Sequence, residues 1–369
     1  MKHRLVSRRG PTLGPWGTFA VGAVVAIVAA AFVTWMLIRP GASAPSADSR
    51  ASVPISTSRA GGTTGAAAPG SSQAGTTASA PGSGKPGSAA ASASPAGCPT
   101  FSACGFPDAS NTGPGSTSLS SHSGNLELRD DGQVIDGWDL TGSVDIYANN
   151  VTIEYSTINS SNWWAVNLRP GYTGLKILHT KLTGTPGAGP DNGGEDYAVS
   201  NMGDGDIEVG WDDVSVFGNA LSMGNGLIHD SYVHDPAPFI TRSGSYEHID
   251  AVISDGDDTL GLTIKHNTLL NPVPIDKGPT SAIGLLSNTG PIQNTTVEDN
   301  WIAGGAYALY GGGTGSSNVK VTGNVFSTQY WPQCGYYGPV AYWNAGGSGN
   351  MWADNEFSSG APVAAPTPD

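Results

Sequence analysis

An eight-residue pattern that recurs along the C-terminal part of the chain limits the folds open to it. Each copy has an apolar residue at its third and eighth positions and a short polar residue at its sixth. The copies begin 19 to 36 residues apart, so the unit is constant while the connecting segments vary in length. Such a repeat is typical of a solenoid, in which each unit stacks on the next. The eight copies are VTIEYSTI (151–158), LKILHTKL (175–182), IEVGWDDV (207–214), GLIHDSYV (226–233), LTIKHNTL (262–269), TTVEDNWI (295–302), VKVTGNVF (319–326) and NMWADNEF (350–357).

The pattern also predicts the conformation of each copy. Apolar residues at alternate positions indicate a short strand with one buried face, so Ile264, Val297 and Val321 should point inward. The polar sixth position suits a tight turn, and His179 and His266, one residue earlier, are interpreted as turn residues. With coils stacked about 4.8 Å apart, the asparagines at the sixth position should form one hydrogen-bonded column. They are Asn267, Asn300, Asn324 and Asn355.

A second repeat pairs an alanine with a following apolar residue. Its copies are WWAVNL (163–168), DYAVSN (196–201), IDAVIS (249–254), TSAIGL (280–285), AYALYG (306–311) and PVAYWN (339–344). If the apolar residue points inward, alternation turns the alanine and the residue after the apolar one outward. This predicts a shallow groove floored by alanines, a shape suited to an extended polymer. Its predicted substrate-binding residues are Asn167, Ser200, Tyr310 and Trp343.

Together the two repeats resemble the right-handed parallel β-helix of the pectate-lyase-like proteins over residues 106–360. The segment GFPDASNTGPGSTSL (105–119) is similar to the segment that leads into the helix in exported bacterial proteins of this type. The resemblance implies an all-β fold, a single-stranded right-handed parallel β-helix of about eight to ten coils. Such scaffolds serve lyases, hydrolases, epimerases, adhesins and phage tailspikes, so the fold does not choose the reaction.

The N-terminal part of the chain predicts a membrane anchor followed by a tether. A basic tail at 1–15 precedes an apolar, uncharged stretch at 16–38, long enough to cross a hydrocarbon core of about 30 Å as a signal-anchor helix. Ala, Ser, Gly, Thr and Pro dominate residues 39–97, which indicates a disordered linker. The β-helix domain is assigned to 98–362, followed by a tail at 363–369. A cleaved secretory signal is the alternative, and both interpretations place the domain outside the cell, either membrane-bound or secreted.

Charge and cysteine content restrict the partners. Residues 98–369 hold 8 basic and 29 acidic residues, a formal charge of −21. This argues against binding nucleic acid, and a polyanionic substrate would need a bridging cation such as Ca²⁺. Outside the membrane a disulfide between Cys98 and Cys104 is permitted and would close a short loop, leaving Cys334 over, although sequence does not settle the pairing. The oligomeric state is not predicted.

Polar residues collect in the long loops ahead of the second repeat. Because long loops on a rigid scaffold tend to carry function, these residues form the candidate site. Imidazole and carboxyl groups supply general acid or base, and a guanidinium stabilises developing negative charge. The alternative is a set of solvated turn residues. The predicted catalytic residues are Glu195, His234, Arg242, His248 and Asp250, and Asp196 and Asp235 are predicted to bind substrate.

Two short stretches bear on this choice. HIDAVI (248–253) resembles a His-x-Asp-Gly-Ile-Gln stretch of exported polysaccharide-lyase-like β-helix proteins, with Ile253 in place of the glutamine. SDGDD (254–258) is either an acidic turn or a Ca²⁺ site formed by Asp255, Asp257 and Asp258. The resemblance implies a lyase that eliminates beside a uronate carboxylate, with a glycoside hydrolase as a variant. A non-catalytic glycan-binding or adhesion protein is the alternative.

Overall fold

The computed structural model describes residues 97–203, 205–256 and 260–366. They form three all-parallel sheets whose strands stack coil upon coil, and the arrangement fits a right-handed parallel β-helix. The predicted fold is therefore confirmed. Ten strands in one sheet and nine in each of the others agree with the expected number of coils. The described residues also contain two short 3-10 helices, Ser102–Cys104 and Ile275–Lys277.

The sheets are numbered in the order in which the chain first enters them. Sheet 1 contains Ser120–Ser123, Trp138–Thr141, Thr157–Ser160, Lys181–Gly184, Asp213–Ser215, Tyr232–His234, Thr268–Asn271, Trp301–Gly304, Val325–Phe326 and Glu356–Phe357. Sheet 2 contains Leu126–Leu128, Val144–Ile146, Trp164–Leu168, Tyr197–Asn201, Asn219–Ser222, Ile249–Ser254, Pro279–Leu285, Tyr307–Gly311 and Gly338–Ala341. Sheet 3 contains Val134–Asp136, Thr152–Glu154, Leu175–Leu178, Ile207–Gly210, Gly226–His229, Leu262–Lys265, Thr295–Glu298, Lys320–Thr322 and Met351–Ala353.

Each eight-residue copy forms a strand of sheet 3, a tight turn and a strand of sheet 1. The third positions pair in register across sheet 3, as in Ile264 with Val297 and Val297 with Val321. These three side chains have no exposed surface, and full burial of such a side chain is worth about 1.5–3 kcal/mol. The continuous apolar row explains why the pattern, rather than the loop length, is constant.

The polar column at the turn is present as predicted. Asn267 Nδ2 donates to Asn300 Oδ1 at 2.9 Å, and the same contact joins Asn300 to Asn324 and Asn324 to Asn355. The preceding residue of each copy adopts a left-handed conformation, with φ of 49° at His179 and 52° at His266. Both histidines therefore are turn residues, as the repeat predicts.

A segment ahead of the first coil runs along the outside of sheet 1. Gly97 lies against Ser358 in the last coil, while Gly113 donates its backbone N–H to the carbonyl of Trp211 at 2.8 Å. Between these points Phe101 and Phe106 pack against Trp301, with ring centroids 6.1 and 5.8 Å apart. We call residues 97–117 the strap, because the segment crosses successive coils in the direction opposite to their stacking.

The three cysteines are separated by this arrangement. Cys98 and Cys104 form a disulfide at the start of the strap, with Cα atoms 5.8 Å apart. Cys334 is a buried free thiol whose Sγ contacts the carbonyl oxygen of Ile302 at 3.3 Å.

The predictions for the N-terminal part lie outside the described residues. These are the basic tail at 1–15, the anchor at 16–38 and all of the linker but its last residue. In the part of the chain that the structure does describe, no helix is long and apolar enough to cross a membrane.

Candidate functional site

Sheet 2 does not present the open groove that the second repeat predicts. The alanines Ala165, Ala198 and Ala251 are at most 1 % exposed, so they cannot floor a groove accessible to a polymer. Asn167 is also fully buried, because Asp145 and Met202 enclose its amide, and Ser200 is buried beside it in register. The structure therefore does not present Asn167 and Ser200 at an open groove, and their role in substrate binding stays a prediction.

The last copy of the second repeat, PVAYWN, has a different register from the predicted one. The repeat predicts that Tyr342, which follows Ala341, points inward and that Trp343 lies on the outer face. In the structure Val340 pairs with Leu309, and Ala341 pairs with Tyr310. Trp343 therefore lies beyond the strand and packs into the hydrophobic core, whereas Tyr342 is 48 % exposed. Val340, rather than Tyr342, fills the inward position.

Two long loops between sheets 1 and 2 pack on each other, residues 185–196 and residues 235–248. Asn192 donates its side-chain amide to the carbonyl of Ile240 at 3.0 Å, which joins the loop tips. The backbone N–H of Arg242 donates to Asp191 Oδ1 at 2.8 Å, and its guanidinium donates to the carbonyl of Pro190. Arg242 thus connects the two loops through these hydrogen bonds, while its guanidinium group stays exposed to solvent.

Glu195 lies beneath these loops and lines a cavity of about 450 Å³. Its side chain is buried, and Oε1 accepts a hydrogen bond from the backbone N–H of Thr185 at 2.8 Å. Oε2 has no hydrogen-bond partner among the described residues. Burial raises the pKa of Glu195 to about 7. Phe239 and Tyr246 supply aromatic surface in the same cavity.

The local sequence explains why a glutamate fits at this place. A side chain at Gly184 would meet Glu195 Oε2, since an added Cβ would lie 2.9 Å from that oxygen. Phe239 packs directly on the backbone of Gly194, where a side chain would clash with its ring. The two glycines therefore leave the space that the carboxyl group and the aromatic wall occupy.

A second group of carboxyl groups lies between the loops and sheet 2. Oxygens of Asp191, Asp196 and Glu247 all lie within 4.8 Å of one another, and all three side chains are buried. Of the three, the sequence had singled out only Asp196. Asp191 and Glu247 come from loops about fifty residues apart, so no spacing in the sequence could bring them to notice. These groups are of the kind that can hold a metal ion.

Asp250 and His248 occupy the start of the sheet 2 strand Ile249–Ser254. Asp250 is fully buried, receives a hydrogen bond from the hydroxyl of Ser281, and has no partner for Oδ2 among the described residues. Burial raises the pKa of Asp250 to about 8, and burial lowers the pKa of His248. Asp250 also raises the pKa of Tyr310, whose own burial is the larger cause.

His234 and Asp235 lie at another place. His234 is on the outer face of sheet 1, where Nε2 contacts Asp213 Oδ1 at 3.1 Å and Nδ1 contacts Asp235 Oδ2 at 2.8 Å. Its ring stacks on Tyr232, with centroids 4.1 Å apart. These contacts assign His234 to the surface beside the strap rather than to the cavity of Glu195.

The C-terminal half of sheet 2 carries a tyrosine surface, which we define as Tyr307, Tyr310, Tyr336, Tyr337 and Tyr342. The rings of Tyr310 and Tyr342 stack with centroids 5.6 Å apart, and Tyr310 meets Tyr307 edge to face at 5.7 Å. Tyr336, Tyr337 and Tyr342 are 40 %, 53 % and 48 % exposed. Only Tyr310 among them was predicted to bind substrate.

The acidic turn is described in part. Asp255 Oδ1 accepts a hydrogen bond from the Asn288 amide at 2.8 Å, and burial raises its pKa. Asp257 and Asp258 lie outside the described residues, so the Ca²⁺ site predicted there stays a prediction.

No protein-family model matches the chain, and no curated protein matches it. Among solved structures, it is similar to the crystal structure of the Dettilon tailspike protein, with 15 % sequence identity and a TM-score of 0.36. The match covers 64 % of this chain and 55 % of that one, so the chain spans little more than half of the tailspike structure.

Proposed function

We propose that this protein binds polysaccharide on the loop side of sheet 2 and cleaves it with Glu195 as the proton-transfer group. The observation that carries the proposal is the environment of the Glu195 carboxyl group and the effect of that environment on its pKa. Glu195 has a buried carboxyl group with one oxygen unengaged among the described residues, a pKa of about 7, and a cavity in front of it. A general acid or base works best when its pKa is near the working pH.

The reaction class that we propose is β-elimination on a uronate-containing glycan. Ionised Glu195 takes the proton from the carbon beside the uronate carboxylate, a carbon–carbon double bond forms, and the glycosidic bond breaks. The leaving oxygen takes its proton from water or from a second acid, for which Asp250 with its pKa of about 8 is the candidate. The cavity volume lies within the range of about 300–1,000 Å³ typical of ligand sites.

A second candidate is non-catalytic glycan binding, and the tyrosine surface favours it. Exposed aromatic side chains give a large contact area with few rotatable bonds, which suits a weakly charged, extended ligand. Tyr337 and Tyr342 expose about half of their surface. In this alternative the strongly negative domain would select neutral glycans, because a polyuronate would be repelled.

The test uses the full-length protein in detergent with a panel of neutral and uronate-containing polysaccharides. Ultraviolet absorbance of new double bonds reports elimination, and new reducing ends report hydrolysis, each with Ca²⁺ and with chelator. We expect Glu195→Gln to remove turnover and keep glycan binding. Glu127→Gln is the control, since Glu127 is exposed and pairs with Arg129 on an outer coil. Turnover by the Glu195 variant would refute the catalytic role, and binding lost only with Tyr342→Ala would support the alternative.

Two further variants address the start of the strand Ile249–Ser254. Asp250→Asn and His248→Ala should lower turnover, while His266→Ala should not, because His266 stacks on Phe106 beside the strap. Equal turnover in all three variants would remove Asp250 and His248 from the site.

The cellular location is a proposal that rests on residues 1–39. We propose a single-pass anchor that holds the β-helix outside the membrane. Protease added to intact cells should then release the domain, and a domain protected until the cells are lysed would overturn this arrangement.

A further inference from the structure

The carboxyl groups of Asp191, Asp196 and Glu247 bring their oxygen atoms together at one buried place. They approach within 4.8 Å of one another and are between 1 % and 7 % exposed. A divalent cation at this place would contact oxygen atoms of all three carboxyl groups at once.

Asn219 provides an independent indication of a cation. Its strand lies between those of Asp196 and Glu247: its backbone N–H donates to the carbonyl of Asp196 at 2.7 Å, and its Nδ2 contacts Glu247 Oε1 at 3.5 Å. The side chain is 2 % exposed, yet Oδ1 has no hydrogen-bond partner among the described residues. A half-turn of the amide exchanges its oxygen and nitrogen at almost no cost in shape, which directs the oxygen at the carboxyl groups.

We propose that Asp191, Asp196, Glu247 and Asn219 bind a calcium ion that holds the two loops together. Carboxylate and amide oxygens are the ligands that Ca²⁺ prefers, and Ca²⁺ tolerates irregular coordination. Asp191 and Asp196 belong to the 185–196 loop, whereas Glu247 belongs to the 235–248 loop. The ion thus gives the two loops a second connection besides the contact of Asn192 with Ile240.

The origin of the ligands assigns the ion a structural role. Three come from the two loops, and the fourth, Asn219, comes from the sheet 2 strand Asn219–Ser222. The ion therefore stabilises the loops that form the wall of the Glu195 cavity. This inference does not depend on the proposed glycan activity, and the site is distinct from Asp255, Asp257 and Asp258.

The experiment measures Ca²⁺ binding to chelator-treated, full-length protein in detergent, by calorimetry and by the thermal unfolding midpoint. We expect saturable binding and a rise in the unfolding temperature for the parent protein. Asp191→Asn and Glu247→Gln should each weaken binding at least tenfold. Asn219→Leu should weaken it as well, while Asn219→Asp should restore it, because only the aspartate returns an oxygen ligand.

Asp213→Asn is the matched control, since Asp213 is another buried aspartate, lies in the sheet 1 strand Asp213–Ser215 and contacts Lys181 and His234 rather than the cluster. It should leave the Ca²⁺ affinity unchanged. The proposal is overturned if the parent protein shows neither heat nor a shift in unfolding with millimolar Ca²⁺. It is also overturned if Asp213→Asn removes the binding and Glu247→Gln does not. Neither readout involves a glycan, so its failure is separate from failure of the proposed function.

Discussion

At the scale of the residue, Asp212 shows how the turn column accepts an acid. It occupies the position of Asn267 and is fully buried, with Oδ1 accepting from the backbone N–H of Thr180 at 2.6 Å. In Asn267 the amide nitrogen donates to the carbonyls of Lys265 and Ile228. Asp212 Oδ2 has no hydrogen-bond donor among the described residues, so at this position only the protonated acid could donate as the amide of Asn267 does. Burial accordingly raises the pKa of Asp212 well above 3.8.

The raised pKa predicts that Asp212→Asn increases the stability of the protein by an amount that depends on pH. Because the pKa is raised in the folded state, the folded protein binds the proton more tightly, and stability falls as the pH rises above about 4 towards the folded pKa. Asparagine donates without a proton, so the variant should be more stable at pH 7 by about 1.4 kcal/mol per unit of pKa shift. The gain should shrink towards pH 3.5. Denaturant unfolding at several pH values measures it, and a gain independent of pH would contradict the protonated acid.

The pKa of Glu195 makes a second prediction for a single residue. If ionised Glu195 is the base of an elimination, turnover should rise with pH through about 7 and then level off. If Glu195 is instead the acid of a hydrolysis, turnover should fall through the same range. A pH profile of kcat/KM distinguishes the two, and a profile flat between pH 5 and 9 would show that Glu195 does not transfer the proton.

At the scale of the element, the strands of sheet 3 depend on one inward residue per coil. Ile264→Asp, Val297→Asp or Val321→Asp would bury an unpaired charge and should lower the free energy of unfolding by about 4 kcal/mol or more. Thr263→Asp is the control one residue away, where the side chain is half-buried. It should change stability by less than about 0.5 kcal/mol. Equal effects at 263 and 264 would show that the inward register is wrong.

The same elements show what the sequence could predict. The strands of sheets 3 and 1 and the turn column follow from apolar alternation and asparagine placement, because each unit is eight contiguous residues. The register of sheet 2 was harder to predict, because an alanine recurs by chance, as at Ala341, and does not fix a register. The loop contacts could not be predicted from the sequence, because Asp191 meets Glu247 only where two loops of different coils pack together. Buried carboxyl groups in such loops carry no periodic signal.

At the scale of the whole molecule, the strap changes how the solenoid holds together. Coils of a solenoid ordinarily contact only their neighbours, so the ends can unfold separately from the middle. Here Phe101 packs against Tyr232 and Trp301, which lie two coils apart in sheet 1, and Phe106 stacks on His266 between them. The strap therefore links coils that share no direct contact.

This link predicts that unfolding is cooperative because of the strap. Replacing both Phe101 and Phe106 by alanine should destabilise the protein by about 3 kcal/mol or more, since Phe106 is only 6 % exposed. Unfolding followed by far-ultraviolet circular dichroism should then separate into more than one step, as the coils lose their common support. Val134→Ala is the control, because Val134 is 55 % exposed on an outer coil and contributes little to packing. A single transition at an unchanged temperature in the double variant would mean that the coils hold one another by neighbour contacts alone.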